Sequence, residues 1–302
     1  GDGWAALRGV GGETLVSGLA EDCVEWRGDL FVVGSNLQIS GAPGAHQLVR
    51  FDGVAWTPVD VPAGAAFTRL TADESRLVAA QADQGSQAAP LRVASWDGAS
   101  WTPLGEGLSG TIRDVRVFAG EVVVGGNFIG SGTTVRSLVA RRGPGGWALL
   151  PSLPTIEVSA PAESIEVWNG RLYVAGAIRD AQGNARLLAA WDGSAWSYLP
   201  GQPLGTSTGA PPAISGLGVA GNQVVIVGSF ASWNGTPQFA WARWGCLPCR
   251  ADVNGDGELT FDDVTVFVGY FNALDERGDF NNDREWTFDD VQAFVTAFGA
   301  GC

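Results

Sequence analysis

Trp96-Asp97-Gly98-Ala99-Ser100-Trp101 is the stretch that decides the fold, because the same short pattern returns along the chain. Related copies occupy residues 51–56 and 191–196, and a weaker copy ends at Trp147. An Asp-Gly turn reverses the backbone at low steric cost, and the flanking aromatic residues give two strands a face to bury. The pattern therefore predicts a β-hairpin that is repeated several times.

The closing tryptophans of these hairpins are almost evenly spaced, at positions 4, 56, 101, 147 and 196. A period near 45 to 52 residues, made of short apolar runs, is typical of the blades of a β-propeller. Each repeat divides into four strands, most clearly in the third repeat at 112–118, 121–127, 137–141 and 147–150. The sequence thus predicts a mainly β chain with five blades.

The two ends of the repeat region indicate how such a propeller would close. The fifth repeat supplies three strands and reaches Cys246 where its fourth strand should begin. Residues 3–7 match the outermost strand of the second repeat at 101–105. Pairing these segments would complete five blades and remove exposed sheet edges. We expect a five-bladed propeller over residues 1–246 that is closed by its N-terminal strand; the alternative is that upstream blades are missing from this sequence.

The repeats resemble secreted propeller repeats with a Trp-Asp-Gly hairpin, which are related in style to kelch-like arrays. This resemblance covers about residues 1–245 and implies architecture only, because propellers host lectins, glycosidases and plain scaffolds. We interpret the hairpin tryptophans as packing between blades, in preference to platforms for stacking sugars.

Charge and composition narrow the function classes. A net charge of −14 disfavours binding to nucleic acid and to anionic membranes, and it favours cations. The chain contains no methionine, so we expect Gly1 to be a processed end of an exported bacterial protein, secreted or held at the cell surface. Four cysteines fit an oxidising compartment and allow three pairings.

Catalytic residues are not predicted anywhere in the chain. The single histidine, His46, lies in a predicted loop without the cysteine or serine arrangement of a nucleophilic site. Glu121, Glu157 and Glu166 show no pattern of paired acids. We therefore expect a protein that is not an enzyme.

After residue 247 the pattern changes to two calcium-binding loops that lie 27 residues apart, each followed by an amphipathic helix. Oxygen ligands stand at loop positions 1, 3, 5, 7 and 12, with Thr260 at position 9 of the first loop. Arg284 replaces the glycine expected at position 6 of the second loop, which predicts a strained or weaker second site. We expect two calcium ions, held by Asp252, Asn254, Asp256, Glu258, Thr260 and Asp263 in the first loop and by Asp279, Asn281, Asp283, Glu285 and Asp290 in the second.

The segment 249–302, with its two loop-helix repeats and its Gly301-Cys302 ending, resembles the Gly-Cys-terminated variant of bacterial dockerin domains. The resemblance implies calcium-dependent folding and docking onto a protein partner, either a cohesin-like protein or another copy of the chain. In dockerins, positions 10 and 11 of each loop help to choose the partner. Here these positions hold Phe261, Asp262, Phe288 and Asp289, unlike the small hydroxyl pairs common in cellulosomes.

Among the three possible pairings of the cysteines, we expect Cys249 with Cys302 and Cys23 with Cys246, although the positions do not fix the connectivity. Cys249 and Cys302 bracket the small C-terminal domain, 247–302, and a bridge between them would stabilise it. Cys23 and Cys246 then remain, on strands that would be neighbours in a closed ring.

We conclude from the sequence that the chain is a non-catalytic extracellular propeller with a calcium-dependent docking domain. Two alternatives remain open: a subunit of a self-assembling extracellular fibre or sheet, and a lectin-like propeller that binds glycans.

Overall fold

The structure, a computed structural model of the 302-residue chain, describes residues 14–82, 93–105, 108–129, 136–151, 161–176, 178, 187–199, 203–204, 212–220, 223–233, 236–237, 240–244, 251–254, 259–281 and 283–300. The chain divides into two compact units, one formed by Gly1–Gly216 and Gly228–Ala240, the other by Leu217–Val227 and Trp241–Cys302. The predicted domain boundary near residue 246 lies outside the described residues and stays a prediction.

Four antiparallel sheets of four strands follow one another along the chain, and in each sheet the strands are hydrogen-bonded in chain order. Blade one contains β1 (Leu15–Trp26), β2 (Asp29–Ile39), β3 (His46–Phe51) and β4 (Trp56–Val59). Blade two contains β5 (Arg69–Ala72), β6 (Leu77–Ala80), β7 (Val93–Trp96) and β8 (Trp101–Pro103). Blade three contains β9 (Gly110–Phe118), β10 (Glu121–Ile129), β11 (Arg136–Gly143) and β12 (Gly146–Leu149). Blade four contains β13 (Ala162–Trp168), β14 (Arg171–Gly176), β15 (Leu188–Trp191) and β16 (Trp196–Tyr198).

The fifth sheet has three described strands, β18 (Ala213–Val219), β19 (Val224–Ser229) and β22 (Trp241–Trp244), paired in that order. A small sheet is formed by β17 (Pro203–Leu204), β20 (Ser232–Trp233) and β21 (Thr236–Pro237). The fold is therefore mainly β, with the five blades of a β-propeller, as the hairpin period predicts. The N-terminal strand expected to complete blade five, residues 3–7, lies outside the described residues.

Consecutive blades pack through separate apolar clusters. One cluster joins blades one and two around Phe31 and Phe67, a second joins blades two and three around Phe128, and a third joins blades three and four around Ile165. The innermost strands β1, β5, β9 and β13 contact their neighbours in that order. Each fully buried aliphatic or phenylalanine side chain contributes about 1.5–3 kcal/mol, so these clusters are the main source of stability in the first four blades.

Aspartates on two innermost strands bridge neighbouring blades. The Asp22 carboxylate of β1 accepts a hydrogen bond from the backbone N–H of Leu70 on β5, at 2.9 Å. The buried Asp114 carboxylate of β9 accepts one from the backbone N–H of Ile165 on β13, at 3.0 Å. Leu70 and Ile165 are buried, so each bond satisfies a backbone donor that has no water and no further strand to pair with at the free edge of an innermost strand.

Glycines in the second strand of several blades have a steric reason. A Cβ atom at Gly34 would lie 1.9 Å from the carbonyl oxygen of Leu19 on β1. The same clash would arise at Gly228, 2.1 Å from the carbonyl oxygen of Ala213. The pairing of β1 with β2 contains irregularities at this level, so glycine permits the close approach that accompanies a β-bulge.

The tryptophans that close the hairpins of blades two, three and four each link their blade to the preceding blade. Each indole N–H donates to the backbone carbonyl four residues after the previous closing tryptophan. The three described bonds run from Trp101 to Asp60 (2.8 Å), from Trp147 to Gly105 (3.3 Å) and from Trp196 to Pro151 (2.7 Å). The interpretation of these residues as blade packing therefore has a specific contact behind it.

The C-terminal part contains α1 (Phe261–Asn272), a 3₁₀ turn (Glu276–Gly278) and α2 (Phe288–Ala300). Phe267 of α1 stacks on Phe294 of α2, with ring centroids 4.1 Å apart, and Phe280 packs edge-on against both rings. These three rings and Ala251 form the buried core of the helical part. In the described part of the chain, no helix is long and apolar enough to cross a membrane.

Candidate functional site

The strongest grouping of acidic side chains lies in the second predicted calcium loop. Carboxylate oxygens of Asp279, Asp283 and Asp290 all lie within 4.8 Å of one another. Asp279 and Asp290 are buried, whereas Asp283 is exposed. Bringing three carboxylates this close is unfavourable unless a cation or hydrogen-bond donors compensate their charge.

Backbone donors supply part of that compensation. Asp279 accepts hydrogen bonds from the backbone N–H groups of Asp283 (3.1 Å) and Arg284 (2.8 Å). Asp290 accepts from those of Asn281 (3.0 Å) and Thr287 (2.9 Å). Burial alone raises the pKa of Asp290, but the N–H donors outweigh it, so the pKa lies below its ordinary value. The carboxylate is thereby held ionised, as a metal ligand must be.

The first loop repeats this arrangement where it is described. Asp263 is fully buried and accepts from the backbone N–H groups of Asn254 (3.2 Å) and Thr260 (2.9 Å), as Asp290 does from Asn281 and Thr287. The Thr260 side chain caps α1 by accepting from the N–H of Asp262. Two predicted ligands, Asp256 and Glu258, lie outside the described residues.

The chemistry of the described donors fits calcium. Carboxylates and side-chain amides converge in the second loop, where Asn281 also donates from its amide to Asp283 at 2.8 Å. Calcium prefers such oxygen ligands, and no described cysteine or histidine stands among them to favour a softer metal. Glu285, whose N–H donates to the Asp283 carboxylate, is exposed beside them. The residues present therefore match the predicted ion.

Arg284 adopts the strained backbone that its position in the second loop predicts. Its φ angle is +69°, in the left-handed region that favours glycine, and its side chain is exposed. A non-glycine residue there costs about 1 kcal/mol. The expectation of strain at this position is confirmed, while the weaker ion binding inferred from it stays a prediction.

The four predicted docking residues all lie on the surface at the starts of the two helices. Phe261 and Phe288 are 77% and 75% exposed, and Asp262 and Asp289 follow them in the first turns. Seven residues further along each helix, on the same face, Val268 and Val295 are also exposed. Sequence reasoning noted Val295 only as an apolar residue of the second helix and assigned neither valine to docking, although the 27-residue repeat and helical periodicity would have paired them with the phenylalanines. We call the set Phe261, Val268, Phe288 and Val295 the apolar helix face.

The predicted bridge between Cys23 and Cys246 is not formed. Cys23 is a free, exposed cysteine on β1. Burial of its sulfur and the neighbouring Asp22 carboxylate raise the pKa of the thiol, which disfavours the thiolate that disulfide exchange requires. Cys246, Cys249 and Cys302 lie outside the described residues, so the bridge between Cys249 and Cys302 stays a prediction.

Of the residues weighed for catalysis, the two described glutamates form ion pairs with arginines. His46 is not in a loop as expected: it begins β3 opposite Leu37 and is half-buried. Glu166 receives two hydrogen bonds from the Arg116 guanidinium, at 3.2 and 3.3 Å, between blades four and three. The Oε2 atom of Glu121 lies 3.5 Å from Nη1 of Arg141. Glu157 is outside the described residues.

The aromatic rings of the second hairpin pack against other rings. Trp101 stacks on Phe67 and on Trp96, at centroid distances of 5.3 and 6.0 Å and interplanar angles of 29° and 20°. Trp96 also contacts Trp26 and Phe31. Trp96 and Trp101 are half-buried and line a cavity of about 570 Å³ together with Arg50 and Asp60. Glycan binding by the propeller stays a prediction.

Comparisons with known proteins leave the family open. No protein-family model matches the chain, and no curated protein matches it. Among solved structures, it is similar to a chain described as "YCF48 bound to D1 peptide", with 13% identity over 72% of this chain and 76% of that chain. The TM-score is 0.40, and no argument about function rests on this likeness.

Proposed function

We propose that this chain is a non-catalytic binding protein whose two C-terminal helices dock onto a protein partner, with calcium in the preceding loops. The observation that carries the proposal is the pair Phe261 and Phe288, exposed to 77% and 75% at equivalent positions of two repeats. Exposed phenylalanines contribute nothing to the core, and a matched pair flanked by carboxylates is typical of an interface.

Calcium would act on the apolar helix face through Asp263 and Asp290, the last predicted ligands of the two loops. The Asp263 carboxylate, in the first turn of α1, accepts hydrogen bonds from two N–H groups of the first loop, and Asp290, in the first turn of α2, does the same for the second loop. Phe261 and Phe288 begin these same two helices. A bound ion supplies the positive charge that clustered carboxylates lack. The loops and the helix starts would then keep one arrangement, so that binding a partner costs less conformational entropy.

We further propose that the chain acts outside the cell, with the propeller as the displayed body and the helices as the attachment. The partner is a cohesin-like surface protein or another copy of the chain. Apolar contact to the apolar helix face supports affinity, and Asp262 and Asp289 at its border favour a basic rim on the partner.

Two measurements on the full chain test this function. Titration calorimetry should show two bound calcium ions, and circular dichroism should show loss of helix when a chelator is added. Calcium-independent helices or the absence of binding would contradict the proposal.

Docking itself is tested by using the immobilised full chain to capture extracellular proteins, with calcium and with chelator. The matched control is the double variant Phe261→Ser and Phe288→Ser, which changes exposed residues alone. We expect a partner that is retained only with calcium and only by the original chain. Equal retention by the double variant would show that the apolar helix face is not the docking site.

A further inference from the structure

A groove runs along α2 beside the second calcium loop. Its volume is about 610 Å³, and its lining is largely apolar. Phe280, Ala293 and Ala297 contribute apolar side chains, and Asn281, Asp289, Gln292 and Thr296 contribute polar groups. Asp289 is exposed in the first turn of α2, so the groove combines apolar surface with an exposed carboxylate.

The equivalent position on α1, in the first loop-helix repeat of the C-terminal part, shows which side chains can fill such a groove. Twenty-seven residues before Ala293 and Ala297 stand Val266 and Tyr270, whose side chains are larger. The half-buried Tyr270 ring carries the Arg277 guanidinium 3.8 Å above its centroid, and Arg277 donates to the Tyr270 hydroxyl at 2.7 Å. In the first repeat the position thus holds an aromatic ring with an arginine over it.

A second pair of an aromatic ring and an arginine lies exposed on the fifth sheet. Trp241 on β22 is 49% exposed, which makes it one of the exposed large apolar side chains of the described chain. The Arg243 guanidinium lies over its ring at 5.3 Å, two residues along the same face of the strand. An exposed indole of this size, beside a cation, is the kind of anchor that dominates protein interfaces.

We propose that the α2 groove of one copy accepts Trp241 and Arg243 of a second copy of this chain. The indole would fill the volume left by Ala293 and Ala297, and Arg243 would face the Asp289 carboxylate. Because groove and anchor are different surfaces, the contact is head-to-tail and repeats into a ring or filament. This inference rests on the proposed docking function of the helices and names the partner as a second copy.

Sedimentation velocity of the full chain with calcium, over a range of concentrations, tests the contact. Wild type should associate, and Trp241→Ser and Ala297→Tyr should each weaken association about tenfold or more. Ala297→Tyr should do so because tyrosine would fill the groove, as Tyr270 does at the equivalent position of α1. Val219→Ser, which changes another exposed apolar residue of the same sheet, is the control and should leave association within about threefold. Unchanged helix content and calcium stoichiometry would show that Ala297→Tyr is folded.

Charge reversal gives an independent test. Arg243→Glu should weaken association, and adding Asp289→Arg should restore it in the double variant, because the pair is then reversed. A wild-type chain that stays monomeric at every concentration would overturn the inference, as would association that Ala297→Tyr leaves unchanged. If such a chain still binds two calcium ions, the proposed function stands with a different partner; if calcium does not bind, the proposed function itself fails.

Discussion

The blades and the C-terminal repeats are both internal repeats, yet different interactions hold them. Between blades the shared contacts are mainly apolar, with fully buried residues such as Val33 and Leu172. The polar links are backbone-directed, either from an indole N–H to a carbonyl or from a backbone N–H to the carboxylate of Asp22 or Asp114. In the C-terminal repeats a core of three phenylalanines and one alanine is accompanied by the buried carboxylates of Asp263 and Asp290.

This difference indicates how each part obtains its stability. Apolar burial in the blades grows with each repeat that is added, and it requires no ligand. A domain of about fifty residues buries too little surface to be secure alone, and it usually depends on a metal or a disulfide. We therefore expect the helices to respond to calcium and to the loss of their loop acids, and the blades not to respond to calcium.

The largest effect should come from the buried carboxylates. Asp290→Asn removes the charge from a side chain that holds two backbone N–H groups, and it should destabilise the helical part by about 2–3 kcal/mol. Denaturation followed by helix circular dichroism measures this, while the near-ultraviolet signal of the blade tryptophans should be unaffected. Asp289→Asn, at an exposed neighbouring acid, is the control. A matching shift in the blade signal would mean that the two parts do not depend on different interactions.

The next effect concerns the links between blades. Replacing a closing tryptophan by phenylalanine keeps a ring but removes the indole donor, which should cost about 1 kcal/mol where the bond is short. Trp196→Phe and Trp101→Phe, at 2.7 and 2.8 Å, should therefore destabilise the blades more than Trp147→Phe, at 3.3 Å. Thermal melting of the three variants measures the order, and an equal loss in all three would show that ring shape alone matters.

The same rule extends to the predicted closure of the propeller. Four residues after Trp4 stands Arg8, so an N-terminal closing strand predicts that the carbonyl of residue 8 accepts from Trp56. Deleting residues 1–8 should then destabilise the blades, and Trp56→Phe should cost less in the shortened chain than in the full chain. Additive losses would argue against closure by this strand.

A smaller change should separate the two calcium loops. Arg284→Gly removes a non-glycine residue at φ +69° and should stabilise the second loop by about 1 kcal/mol, equivalent to about fivefold tighter calcium binding. Calorimetry should show that the calcium affinity of the second loop rises while that of the first loop is unchanged. The affinity of Arg284→Asn should lie between those of wild type and Arg284→Gly, because asparagine tolerates the left-handed region better than arginine does. No change in either variant would mean that the strain at Arg284 does not limit the second site.

Local patterns made the blades and the helices predictable from sequence. The Asp-Gly hairpin, the short apolar runs of the strands and the spacing of the ligands within each loop all involve neighbours along the chain. The contacts between repeats were not predictable in the same way. Nothing near Asp22 in sequence indicates that it accepts from Leu70, 48 residues away, and the groove at Ala297 depends on which residues face it after folding. His46 was misplaced because the extent of β3 is set by its pairing with β2.

The smallest expected effect is that of acid on the hairpin turns. The Asp192 carboxylate accepts 2.8 Å hydrogen bonds from the backbone N–H groups of Ala195 and Ser194, and these donors lower its pKa from 3.8 to about 2. Because the folded pKa is the lower one, protons bind the unfolded chain first. The stability that Asp192 contributes is complete above about pH 4 and is lost as the pH falls towards 2.

Replacing Asp192 by asparagine tests this expected loss of stability in acid. Asp192→Asn should melt slightly below wild type at neutral pH, and the difference should shrink between pH 4 and pH 2 as the wild-type carboxylate takes up its proton. The shift is small because the side chain is exposed and solvent screens its charge. Asp60→Asn, an exposed acid outside the hairpin loops, provides the control. A difference that stays constant down to pH 2 would mean that asparagine disturbs the turn by its shape, and that the lowered pKa contributes nothing to the stability of the blades.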